Sequence, residues 1–245
     1  MGDVINHMSK FFFVVIVILT LIVIIEEPSD KIVTALEPHL DKGCKVIDYE
    51  IIDTNLYAIL GDGQDAIYGK TIAIYQIRDV DQKIQLIKIY ENDFSKMKPW
   101  KIDCTDLEGD GEIEIVIGVH KKTHYDQNEG NRMFIFNWDG KKLYKKWTGS
   151  KLGNELLQFE FIELLNRQGD ELIVIDLEEG GKERILVYYW FDFGFSLLAE
   201  SKGYDDLYDV KPMGTNLLEI TYNHKGIKNK KIGSIIKGKM VDTTD

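Results

Sequence analysis

A pattern that returns after about fifty residues constrains this chain more than any other feature of its sequence. From Trp100 to Ser150 the chain reads as a strand (WKIDCTDL), an acidic turn, a second strand (EIEIVIGV), a long loop (HKKTHYDQNEG), a third strand (RMFIFNW) and a fourth (KLYKKW). Asp139 and Gly140 stand between the last two, and an Asp-Gly pair between alternating apolar runs signals a tight hairpin. The stretch Leu156–Gly203 repeats the order as LLQFEFIEL, RQGDELIVIDL, GGKERILVYYWF and FSLLAES. Fainter copies cover residues 45–95 and 204–242. The runs are short, rich in Ile, Val, Tyr and Phe, and bounded by Gly, Asn and Asp, which is strand patterning. No long run of helical spacing interrupts them. The expected fold is all-β, a propeller-like array of about four four-stranded units spanning residues 45–245, since radial stacking protects strand edges. A two-sheet β-sandwich is the competing arrangement.

A different signal precedes the repeats. Lys10 is followed by FFFVVIVILTLIVII, apolar throughout except Thr20. An amphipathic core helix would show a polar face, and this run has none. It is shorter than the ~20 residues that span a bilayer core, but Met8 and Ser9 extend it, and Pro28 stops it. Lys10 and the amino terminus lie before the run, and Glu26 and Glu27 follow it. By the positive-inside rule the N-terminus stays cytoplasmic and the repeats face outward. No small-residue cleavage site follows closely. The expected order is a cytoplasmic tip (1–10), one transmembrane signal-anchor helix (11–27), a linker (28–44) and an extracytoplasmic β domain (45–245). The membrane is then one partner, reached through the N-terminal helix.

Charge narrows the remaining partners. The chain carries 30 basic and 41 acidic residues, a net −11. Nucleic acid is excluded as a partner, because phosphate binding needs basic surface. The lysine-rich KGIKNKKIGSIIKGK (225–239) reads as solvated or edge-strand lysines. Cys44 and Cys104 form neither a disulfide framework nor a metal-finger spacing; they read as two buried thiols, with a single Cys44–Cys104 bridge as the alternative in an exported domain.

The acidic turn of the clearest unit, DLEGDGEIE, places oxygen at alternate positions: Asp106, Glu108, Asp110, the Glu112 carbonyl and Glu114. Gly111 falls at the sixth position, where a sharp turn needs φ > 0. Oxygens so spaced can converge on a hard cation of Ca²⁺ size. The loop is no EF-hand, since its twelfth position is Ile117 and a strand follows it. A solvated turn held by Gly and Asp turn chemistry is the alternative. DLEGDGEIEIVIG resembles the calcium loop of FG-GAP/VCBS-type repeats, whose pattern is D-x-[DN]-x-D-G-x-x-[DE] before an apolar strand. That resemblance implies a propeller blade in a bacterial surface domain, with structural Ca²⁺ held through Asp106, Glu108, Asp110, Glu112 and Glu114. In the next unit NRQGDELIVI has lost the spacing, and no ion is expected there.

Other chemistry is thin. GKT at 69–71 lacks the spacing and the helix of a phosphate loop. His120 and His124 lie in a polar loop between strands rather than on a zinc-binding helix. No nucleophile motif is present. The aromatic runs FIFNW and YYWFDFGF suit core and blade-edge packing, and residues 188–196 are the best place for a sugar- or peptide-binding platform. The expected function is a non-enzymatic, membrane-anchored binding or scaffolding module with a protein or glycan ligand at the cell envelope. The alternative is an envelope enzyme acting on glycans through a carboxylate pair the sequence does not single out.

Overall fold

The computed structural model describes residues 32, 34–63, 66–80, 83–124, 126–149 and 151–243. The apolar run expected to cross the membrane lies outside them; among the described residues no helix is long and apolar enough to do so. The described chain is all-β. Its first unit is β1 (Cys44–Ile52), β2 (Asn55–Asp62), β3 (Thr71–Val80) and β4 (Lys83–Asp93). The second is β5 (Pro99–Thr105), β6 (Glu114–His120), β7 (Asn131–Trp138) and β8 (Leu143–Thr148). The third is β9 (Leu156–Ile162), β10 (Glu171–Leu177), β11 (Glu183–Phe191) and β12 (Gly194–Glu200). The fourth is β13 (Asp206–Gly214), β14 (Leu217–His224), β15 (Ile227–Ile236) and β16 (Lys239–Asp242).

Each unit is an antiparallel meander in chain order. The first two form separate four-stranded sheets. The last two merge into one eight-stranded sheet through the parallel pair Glu200↔Lys239 between β12 and β16. The fifty-residue recurrence is therefore a recurrence of meanders, and Gly140 has the positive φ of +86° that its hairpin turn requires.

Alternation along the central strands explains why the units stack. Side chains on a strand point to opposite faces in turn. On β6, Ile115, Ile117 and Val119 enter a core shared with the first unit, through Ile59, Ile72 and Ile74. Val116, between them, enters a core shared with the third unit, beside Phe159, Leu172 and Val174. On β10, Leu172 and Val174 face the second unit, while Ile173 joins Val210, Leu218 and Ile220 of the fourth. The outer face of the first unit (Leu56, Ala58, Tyr75) is covered by Ile32 and Leu36. The stretch read as a linker thus has Ile32 and Leu36 packed on a sheet, followed by a 3-10 turn at Glu37–His39.

A half-buried carboxylate, Asp48, and a buried one, Asp103, join the first strands of successive units. Asp48 on β1 accepts the Ile102 N–H of β5 at 2.8 Å. Asp103 on β5 accepts the Phe161 N–H of β9 at 3.1 Å. Burial pushes the Asp103 carboxyl up from 3.8 to about 7, against the bonds from Phe161 and Cys104 and the nearby Lys101 charge. Burial raises Asp48 and Glu50 as well.

A native pKa above the unfolded one means that folding takes up a proton between the two values. That contribution is complete below about pH 4 and is lost as pH rises through 7. The wild-type free energy of unfolding from urea melts should fall between pH 4 and pH 8, with Asp103 contributing up to about 4 kcal/mol. Asp103→Asn should flatten the profile; an unchanged slope would show that Asp103 titrates normally.

Candidate functional site

The acidic loop between β5 and β6 is closed by its own backbone. The Asp106 carboxylate accepts the N–H groups of Asp110 at 3.0 Å and Gly111 at 2.9 Å. Asp110 accepts the Glu112 N–H at 2.9 Å. Gly109 and Gly111 hold φ of +67° and +85°, so the sharp turn falls where the sequence placed it. Asp110 and Glu112 are exposed at its tip.

Glu108 and Glu114 turn the other way. Glu114 opens β6 and is buried; its carboxylate accepts the Leu107 N–H at 3.0 Å and lies 2.5 Å from the Lys146 ammonium. Glu108 lies 2.8 Å from the same ammonium and accepts the Trp190 indole N–H at 3.3 Å. Lys146 comes from β8, and Trp190 from β11 of the next unit. Burial works against the Lys146 charge, but the hydrogen bonds and charges of Glu108 and Glu114 outweigh it and raise its pKa. Part of the repulsion among the loop acids is therefore offset by an internal cation, 32 residues downstream of Glu114.

The third unit repeats the inner half of this device. Glu171 opens β10, is buried, and accepts the N–H groups of Leu164 at 3.0 Å and Leu165 at 2.9 Å. In both units a leucine precedes its glutamate by seven residues. Asn166, with φ of +51°, stands where the second unit has Gly109. The two loops interlock: the Asp170 N–H donates to the Asp106 carbonyl at 3.1 Å, and the Thr105 hydroxyl to Asp170 at 2.8 Å. Gly169 lies so close to the Leu107 carbonyl that a Cβ would sit 2.2 Å from its oxygen.

Calcium asks for six to eight oxygens around one centre. Asp106 and Asp110 are hard donors that suit the ion in type, whereas Glu108 and Glu114 are engaged by Lys146. Among the described residues no group of three or more His, Cys, Asp or Glu is placed to hold a metal. Cys44 and Cys104 are free thiols. Lys70 of the GKT stretch pairs with Asp62, and β3 begins at Thr71.

Two surfaces stand out near the loop. A cavity of about 600 Å³ lies where the β1–β2 turn meets the β7–β8 hairpin, lined by Asp53, Glu112, Asp139, Trp138 and Tyr144. The aromatic run 188–196 divides at the β11–β12 hairpin. Trp190 and Phe195 pack edge to face at 5.1 Å, and Phe195 meets Trp147 likewise. Phe191 and Phe193 flank Asp192 (φ +52°) at the tip, with Phe193 83% exposed.

No protein-family model matches the chain. No curated protein matches it either. Among solved structures it is similar to one titled "Structure of a Xanthomonas Type IV Secretion System related protein", at 13% identity, over 84% of this chain and 95% of that one. The TM-score of 0.27 is too low for that likeness to carry an argument about fold or function.

Removing one member of a buried ion pair strands the other charge. Lys146→Met should destabilise the protein by about 3 kcal/mol. Adding Glu114→Gln should recover much of that loss in urea melts, and strict additivity of the two substitutions would disprove the coupling.

Proposed function

We propose that this chain is a membrane-anchored, extracytoplasmic binding or scaffolding module whose four meanders form a propeller-like array. The observation that carries the binding reading is the aromatic tip of the β11–β12 hairpin. Phe191 and Phe193 are exposed at that tip, at 55% and 83%. Clustered apolar groups in water mark interaction surfaces. The propeller-like reading draws support from the shared cores and from β5 lying against both β1 and β9. The anchor and the outward orientation rest on the sequence of residues 10–27.

The outward orientation is tested with Asp192→Cys in the full chain. A membrane-impermeant maleimide should label it in intact cells, with the protein retained in membranes at alkaline pH; labelling only after lysis would end that part of the reading. A photo-reactive residue in place of Phe193 should give a discrete cross-linked species in the same cells, and none would form if the tip has no partner.

A structural calcium ion at the acidic loop belongs to this reading. Asp106, Asp110 and the Glu112 carbonyl would hold it, joined by Glu108 and Glu114 where Lys146 releases them. A cation that binds only the folded state raises the melting midpoint with its concentration. Calcium should therefore raise the midpoint of Lys146→Met more than that of wild type, and Asp110→Ala should abolish the effect. No shift against chelator in either protein would remove the ion.

One observation favours the second reading, an envelope glycan hydrolase. The 600 Å³ cavity combines Trp138 and Tyr144 with the carboxylates of Asp53, Glu112 and Asp139, the residue types such chemistry uses. Release of reducing ends from a glycan, lost in Glu112→Gln or Asp53→Asn, would favour it over the binding module.

A further inference from the structure

Three units also meet at the opposite end of the array from the acidic loop. The β2–β3 connection brings Tyr68 there, β6 ends with His120, β7 begins with Asn131 and Arg132, and the β8–β9 connection brings Asn154. Together they line a cavity of about 420 Å³, within the size range of small-molecule sites.

Its wall is fixed by hydrogen bonds. The Arg132 side chain is only 5% exposed. Its guanidinium donates to the Asn131 carbonyl at 2.8 Å and to Asp126 at 2.5 Å. Its Nε has no hydrogen-bond partner among the described residues. Such an orphan is unusual in a buried group and calls for water or a ligand nearby. The Asn131 amide donates to the Leu156 carbonyl at 2.9 Å, which leaves its oxygen to accept. His120 Nδ1 lies 2.9 Å from that oxygen and carries the proton, so in the neutral ring Nε2 is an acceptor. The imidazole stacks on Tyr68 with centroids 5.1 Å apart and planes 27° apart. The side-chain amides of Asn128 and Asn154 have no partner among the described residues.

The charges in this cavity balance. Arg132 pairs with Asp126, Glu129 pairs with Lys98 outside it, and Lys151 and Glu155 carry opposite signs. A strongly charged ligand would find no counter-charge. What remains is a set of donors and acceptors side by side, next to a stacked aromatic pair. A sugar matches this set, since each hydroxyl both donates and accepts and its C–H face lies on a ring. We propose that this three-unit junction binds a neutral sugar unit of a surface glycan. The proposal deepens the binding-module reading and rests on it for the source of the ligand.

The test uses the full chain in a detergent without a sugar head group, titrated calorimetrically with maltotetraose, xylotetraose and chitotetraose. At least one should bind with a Kd of about 1 mM or tighter. Tyr68→Ala and Asn154→Ala should weaken it at least tenfold without moving the melting midpoint, whereas Met213→Ser, at an exposed position of the fourth unit, should leave it unchanged. Binding of none of the three, binding indifferent to Asn154→Ala, or tighter binding of tetragalacturonate would each overturn the assignment. The Asp192→Cys labelling reports orientation independently, so the sugar site can fail while the outward-facing module stands.

Discussion

The fold depends on sheets that are apolar on both faces. Strands such as EIVIGVH and ELIVIDL send consecutive branched side chains to opposite sides, so one sheet facing water would expose a full layer of Ile, Leu and Val. Burying each such side chain stabilises by about 1.5–3 kcal/mol, and only a neighbour on each side can supply that. The second and third units find one within the chain on both faces. The first has the second on one face and Ile32, Ala35, Leu36 and Leu40 on the other. The short segment after the apolar run therefore completes the array and covers a face a fifth unit would otherwise need.

Buried and half-buried carboxylates tie the stacked faces to one another by directional hydrogen bonds. Asp48, Asp103, Glu114 and Glu171 each accept backbone N–H groups, either across a unit boundary or across a turn. Burial disfavours the charged forms of Asp48, Asp103 and Glu171. Asp103 has only hydrogen bonds and the more distant Lys101 to offset that penalty, and its pKa rises to about 7. Glu114 has Lys146 in direct contact.

The repeating meanders were legible because strand period and turn chemistry are local. Ten-residue windows carry the alternation, and Asp139 with Gly140 marks its own hairpin. The joining of the last two units was not, because it rests on one backbone pair, Glu200↔Lys239, with no compositional mark. The acidic loop was legible as a turn with positive-φ glycines, but the destination of its acids was not. Lys146 sits in KKLYKKW among three other lysines, and only the pairing of β7 with β8 decides which ammonium reaches Glu114 and Glu108. The leucine–glutamate spacing of seven shared by Leu107/Glu114 and Leu164/Glu171 is a local sequence signal that marks Glu114 as a buried loop anchor. His120 read as part of an exposed loop because Tyr68, Asn131 and Asn154 lie far apart in sequence, in the β2–β3 connection, on β7 and in the β8–β9 connection.

The same stacking that builds the core also decides where function can reside. With both faces of the middle sheets buried, side chains there are committed to packing, and variation falls to the connections at the two ends. At one end the connections are short or held by their own carboxylates, and that end presents the Phe191–Phe193 tip. At the other the β2–β3, β6–β7 and β8–β9 connections are long, and their polar side chains converge where three units meet. A residue on one unit can therefore face a residue on the next without either entering a core. That is why the polar groups around Arg132 can be organised yet partly unpaired, while Asp176, inside the third unit, uses its carboxylate on Asn154 and Glu155 N–H groups and on Arg184.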